Sequence, residues 1–121
     1  FKYLEISMDA GDKQTYEMVR LGGSWKVLLD NLNYVKEHVD AEVTLKFVLQ
    51  KSNLHSLDNF VNLLEKYEFL GNVTPLEDWS TMSNFAEHDI LNPKNPLYET
   101  AKAKLDSYKG HPLLMYQGGA W

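Results

Sequence analysis

From residue 2 to residue 8, polar and apolar side chains alternate: Leu4, Ile6 and Met8 fall on one side of an extended segment, with Tyr3, Glu5 and Ser7 on the other. The pattern predicts a strand ending at Asp9-Ala10-Gly11, after which the period changes. Asp12 stands where it can cap a short helix in which Tyr16 and Val19 share a face, and Gly22-Gly23 stops that helix. Ser24 opens a second helix, in which Trp25, Leu28, Leu29, Leu32, Val35 and Val39 recur at spacings of three and four. Residues 42–49 are β-branched and apolar, too short for a typical helix, and predict a strand leading to Gln50. Leu57, Phe60, Val61, Leu64 and Tyr67 mark the next helix, with Ser56 as its expected cap. A third strand is expected over 71–76, where Pro75 removes a ladder donor and implies an edge or a strand end, and it runs into Glu77-Asp78-Trp79. Residues 80–95 show no clean period. Asn95, with Pro96 at the first helical position, starts a last helix lined by Tyr98, Ala101 and Leu105. No element is assigned after Gly110.

Strand and helix thus alternate three times, the order that gives a parallel sheet with right-handed crossovers. Residues 1–108 form this β/α unit and residues 109–121 a tail. A three-stranded parallel sheet with helices on one side leaves its other face and both edges bare, whereas parallel sheets are normally covered on both faces. The expected class is therefore α/β, as part of a barrel or of a larger sheet.

Composition narrows the chemistry. The 121 residues include no cysteine, so no disulfide, thiolate zinc site, cysteine nucleophile or conventional iron–sulfur site can be built from them. Seventeen acidic against twelve basic residues give a net charge of −5, which argues against a surface that neutralises nucleic-acid phosphates or anionic lipid. No apolar run is long enough to span a bilayer and the start lacks a secretory pattern, so a cytoplasmic location is expected. The chain opens on Phe1 directly before a strand, which suggests a piece of a longer polypeptide.

In β/α folds functional groups gather at the carboxyl ends of the strands. That rule selects Ser7-Met8-Asp9, Gln50-Lys51 and Glu77-Asp78-Trp79. Ser7 and Asp9, two apart on a strand, can together hydrogen-bond a ribose diol or an amino group, or they can simply cap the next turn. Arg20 can pair with a ligand carboxylate, or it can sit at a helix end for the macrodipole. Glu77 and Asp78 invite a two-carboxylate hydrolase reading, but sequence neighbours on a strand point opposite ways and no second acid is placed. His38, His55, His88 and His111 have no metal-ligand spacing, and Gly22-Gly23-Ser24 lacks both the phosphate-loop lysine and the dinucleotide glycine spacing.

The run Ile6-Ser7-Met8-Asp9-Ala10-Gly11-Asp12-Lys13-Gln14-Thr15-Tyr16-Glu17-Met18-Val19-Arg20, with Gly22-Gly23-Ser24-Trp25, resembles a stretch of the radical S-adenosylmethionine enzymes, most closely those of SPASM type. Leu28-Leu29-Asp30-Asn31-Leu32, the segment Val43 to Asn53 and Glu77-Asp78-Trp79-Ser80-Thr81 extend the likeness over roughly residues 3–105. The resemblance implies the fourth to sixth units of a partial TIM-type (β/α)6 barrel. It carries the family's cofactor-binding positions onto Ser7, Asp9, Arg20, Gln50, Glu77 and Trp79, with S-adenosylmethionine as the cofactor and a 5′-deoxyadenosyl radical as the parent's reagent. In that family a C-x3-C-x2-C motif holds a [4Fe-4S] cluster, and this chain has no cysteine to match it. The cluster is therefore expected in a parent protein only, and this chain alone is expected to be inactive. Two partners follow as expectations: an amino-terminal half that completes the barrel, or a second copy associating through the exposed sheet. A non-enzymatic β/α interaction domain is the alternative reading.

Overall fold

The computed structural model describes residues 2–77 and 85–118. Four strands, β1 (Tyr3–Ser7), β2 (Glu42–Leu49), β3 (Leu70–Pro75) and β4 (Leu114–Tyr116), form one sheet in the order β1-β2-β3-β4, and every pair is parallel. Between β1 and β2 lie α1 (Lys13–Val19) and α2 (Trp25–His38). A short 3₁₀ turn (Leu54–Ser56) and α3 (Leu57–Tyr67) connect β2 to β3, and α4 (Phe85–His88) and α5 (Tyr98–Asp106) lie between β3 and β4. The α/β class expected from the alternation holds. The tail, to which no element was assigned, supplies a fourth strand; three residues are too few to show a period of two.

Because each crossover moves to the next strand in the same direction, right-handed connections put the helices on one side of the sheet. That side is the core. Leu45, Phe47, Leu49, Val73 and Leu114 are buried against Leu28 and Leu32 of α2, Phe60 and Leu64 of α3 and Ala101 and Leu105 of α5. Phe47 and Phe60 pack with ring centroids 4.9 Å apart. The opposite side follows from the alternation and the register: Tyr3, Glu5 and Ser7; Thr44, Lys46 and Val48; Asn72 and Thr74; Met115. It is mostly polar. At its centre Thr44 (1% exposed) and Asn72 (6%) are shut in, and Thr44 Oγ1 and Asn72 Oδ1 have no hydrogen-bond partner.

The local signals set the element ends closely. Asp12 caps α1 by accepting from Thr15 N–H at 2.9 Å, Ser24 caps α2 through Val27 N–H, and Gly22 closes the α1 turn at φ +84°, a conformation that costs glycine little. Ser56 departs from expectation. Its side chain makes no bond to the α3 backbone; the hydroxyl donates to Asp12 Oδ2 and accepts from Gly11 N–H, both at 2.6 Å. At Gly11 a Cβ would lie 2.1 Å from the backbone nitrogen of Phe60, so only glycine lets the β1–α1 corner approach α3 this closely. The last helix begins at Tyr98, two residues after Pro96, because Asn95 first makes a turn in which its side chain accepts from Leu97 N–H.

Candidate functional site

The carboxyl end of β1 turns sharply. Asp9 sits at φ +58°, in the left-handed region that aspartate tolerates better than most residues. The strand ends at Ser7, so Asp9 sits in the turn beyond it and not on the strand with Ser7. Ser7 stays on the open face, exposed, opposite Lys46. The Asp9 carboxylate instead accepts from Val48 N–H at 2.8 Å through Oδ1 and pairs with Arg20 Nη1 at 3.1 Å through Oδ2. Oδ1 thereby continues the β1–β2 ladder where the backbone has turned away. Arg20 both terminates α1 and is already engaged by Asp9, so its two expected roles are combined and a ligand carboxylate would have to compete with Asp9.

Asn53 locks the next loop to this corner. It is fully buried; its amide donates to Asp9 O at 3.1 Å and to Val48 O at 2.8 Å, while its oxygen accepts from Gln50 N–H at 2.9 Å. Both ends of the side chain are satisfied, so a single residue fixes where β2 ends and where Gln50 points its backbone.

A cavity of about 460 Å³ lies above these strand ends, lined by Asp9, Lys46, Val48, Gln50, Thr74, Pro75, Leu76, Glu77 and Gln117. Of the expected residues, Asp9, Gln50 and Glu77 meet in it. Arg20 reaches it through Asp9, Ser7 does not line it, and Trp79 lies outside the described residues. Lys46 and Gln117 join the set without having been singled out. Lys46 was visible in principle: it is the polar residue of a period-two segment whose other face is Leu45, Phe47 and Leu49. Gln117 gave no signal, since it follows the unassigned β4; its Oε1 accepts from Asn72 at 2.9 Å and its backbone N–H donates to Val73 O.

The wall is chemically mixed. Glu77 is exposed at the mouth, and neither its carboxylate nor the Lys46 ammonium has a hydrogen-bond or ion-pair partner among the described residues. The Asp9 carboxylate is held and only partly exposed, and Val48, Pro75 and Leu76 give an apolar side. Such a wall suits a small molecule bearing both signs of charge and an apolar ring or chain, and its volume is within the ~300–1,000 Å³ usual for ligand sites.

Two other clusters are structural. Thr15 Oγ1 donates to Asp12 and lies 2.9 Å from His55 Nε2, but Asp12 takes the Ser56 proton directly, so the set is a corner knot and not a nucleophile relay. A second cavity, about 650 Å³, runs between Lys51 and the 86–97 segment. Asn95 ties that segment together by donating to Ala86 O and Glu87 O, and the Lys51–Glu87 ion pair engages two of the three charged side chains that line the cavity, Lys94 being the third. No group of three histidine, aspartate or glutamate side chains placed to hold a metal occurs among the described residues. No helix among them is long and apolar enough to cross a membrane.

No protein-family model matches the chain, and neither a curated protein nor a solved structure does.

Proposed function

We propose that the chain is an arc of a β/α barrel of the radical S-adenosylmethionine type, whose polar sheet face is barrel interior and whose strand-end cavity takes S-adenosylmethionine. The observation that carries this reading is the convergence of Asp9, Gln50 and Glu77, which the strand-end rule selected from three separate strands and the resemblance matched to cofactor positions, on one cavity. A strictly sequential parallel order with helices on one side is also the connectivity of a barrel arc.

The wall suits the proposed ligand. S-adenosylmethionine carries a sulfonium, an ammonium, a carboxylate and an aromatic base. Glu77 and Asp9 would hold the cationic centres, Lys46 the carboxylate, and Val48 with Leu76 the base, with Gln50 supplying a neutral amide. When bound beside a reduced cluster, this cofactor supplies radical chemistry in the family that the sequence resembles. The cluster itself does not fit this chain, which has no cysteine and, among the described residues, no cluster of other ligands. The role derived for these residues is accordingly to bind and orient the cofactor.

Isothermal titration of S-adenosylmethionine into the chain, repeated with Gln50→Ala and Glu77→Gln, tests the assignment. Each change is expected to weaken binding about 3- to 10-fold, the worth of one polar contact. Binding that both changes leave untouched, or no binding at all, would contradict it.

A further inference from the structure

Gln117, in the wall of the strand-end cavity, has its side chain held by a buried side chain of the sheet. It follows β4 and is tied to β3 twice. Its backbone N–H donates to Val73 O at 2.9 Å, and its Oε1 accepts from the Asn72 amide at 2.9 Å. An exposed glutamine ordinarily samples several rotamers and gives up that freedom when it binds a ligand. Here the Asn72 bond orders the amide beforehand. Because Oε1 is turned to Asn72, the polar end left for the cavity is Nε2, with N–H donors that have no partner among the described residues.

The fold alone gives little reason for Asn72. It is 6% exposed, its Oδ1 has no hydrogen-bond partner, and it stands within β3, where asparagine is disfavoured. A buried acceptor left unpaired costs more than one bond to an exposed glutamine returns. Such a local rule broken without structural gain is expected at functional positions. What Asn72 does provide is the orientation of Gln117. In register it lies beside Lys46 of β2, on the same face of the sheet, and the Lys46 ammonium is itself unpaired among the described residues. Lys46 and Gln117 therefore flank Asn72 from the strands on either side, while the acids Asp9 and Glu77 lie beyond, at the strand ends. A cation and an amide nitrogen placed together in this way suit the two oxygens of a carboxylate.

We infer that Lys46 and Gln117 form a carboxylate subsite in the strand-end cavity, and that Asn72 is the positioning residue that presents the Gln117 amide nitrogen to it. The inference rests on the reading of this cavity as a site for S-adenosylmethionine; it adds which residues set a preference for the ligand's carboxylate.

Isothermal titration with S-adenosylmethionine and with its decarboxylated form separates the subsite from the rest of the cavity. The unmodified chain is expected to favour the carboxylate-bearing form. Gln117→Ala, at an exposed position, is expected to weaken S-adenosylmethionine binding about 10-fold and to leave the decarboxylated form unchanged. Asn72→Val is expected to weaken it about 3-fold, because Gln117 must then be ordered by the ligand. Its urea midpoint should match or exceed that of the unmodified chain. Since Asn72 acts through Gln117, the double variant should bind no more weakly than Gln117→Ala alone. Equal losses for the two ligands, no loss in Gln117→Ala, or a preference for the decarboxylated form would each overturn the subsite. Additive losses in the double variant, or a lowered urea midpoint for Asn72→Val, would make Asn72 a structural residue and overturn its positioning role. Where Glu77→Gln still weakens S-adenosylmethionine binding in those cases, the cofactor reading stands without the subsite; absence of binding to the unmodified chain overturns both.

Discussion

Asp9 shows how one side chain can serve the backbone and the site together. Its Oδ1 satisfies Val48 N–H, so removal of the carboxylate strands a donor in a partly buried position, whereas the pair with the exposed Arg20 is worth little. Asp9→Ala is expected to lower unfolding free energy by about 1–2 kcal/mol, and Asp9→Asn, which keeps an acceptor, by about 0.5 kcal/mol. Urea denaturation of the two variants checks the difference; equal losses would mean that the Arg20 pair, and not the Val48 bond, is what matters. The sequence marked Asp9 through its place after a strand, but not its conformation. A left-handed aspartate looks like any other aspartate in a period-two pattern, so Asp9 was expected to continue the strand with Ser7 and instead lies in the turn beyond it.

At the scale of elements, helical periods and caps were legible. The two-residue alternation of β1 and the apolar run of β2 were as well, because those signals are local. What was not legible is where a cap residue turns away from its own helix. Ser56 precedes α3 yet bonds to Asp12 and Gly11, forty-odd residues back, and joins the α1 cap to the α3 start. Burial raises the Asp12 carboxyl, but hydrogen bonds from Ser56 and Thr15 and the nearby His55 outweigh it, and the net effect is a value below the ordinary one. A folded-state value held below that of the unfolded chain stabilises fully above about pH 3.9 and is lost as pH falls through that value toward the folded one. Urea midpoints are therefore expected to fall steeply below about pH 4. In Ser56→Ala the whole curve should sit lower and this acid limb should be shallower. An acid limb unchanged in slope would separate Asp12 from the effect.

For the whole molecule, the β/α order followed from the sequence, and so did three of the cavity residues, each taken from a different strand end. The fourth strand and Gln117 did not, since β4 owes its existence to pairing with β3 and not to its own pattern. Lys46 needed the face assignment of β2 to be read against the side of the sheet opposite the helices. The account's central claim is that the strand-end cavity is a ligand site for S-adenosylmethionine, and amide chemical-shift mapping during a titration with that molecule tests it most directly. The expected result is saturable shifts concentrated at Asp9, Lys46 to Gln50, Thr74, Leu76, Glu77 and Gln117. Shifts confined to the Lys51 and 86–97 cavity, or no saturable shift anywhere, would contradict it.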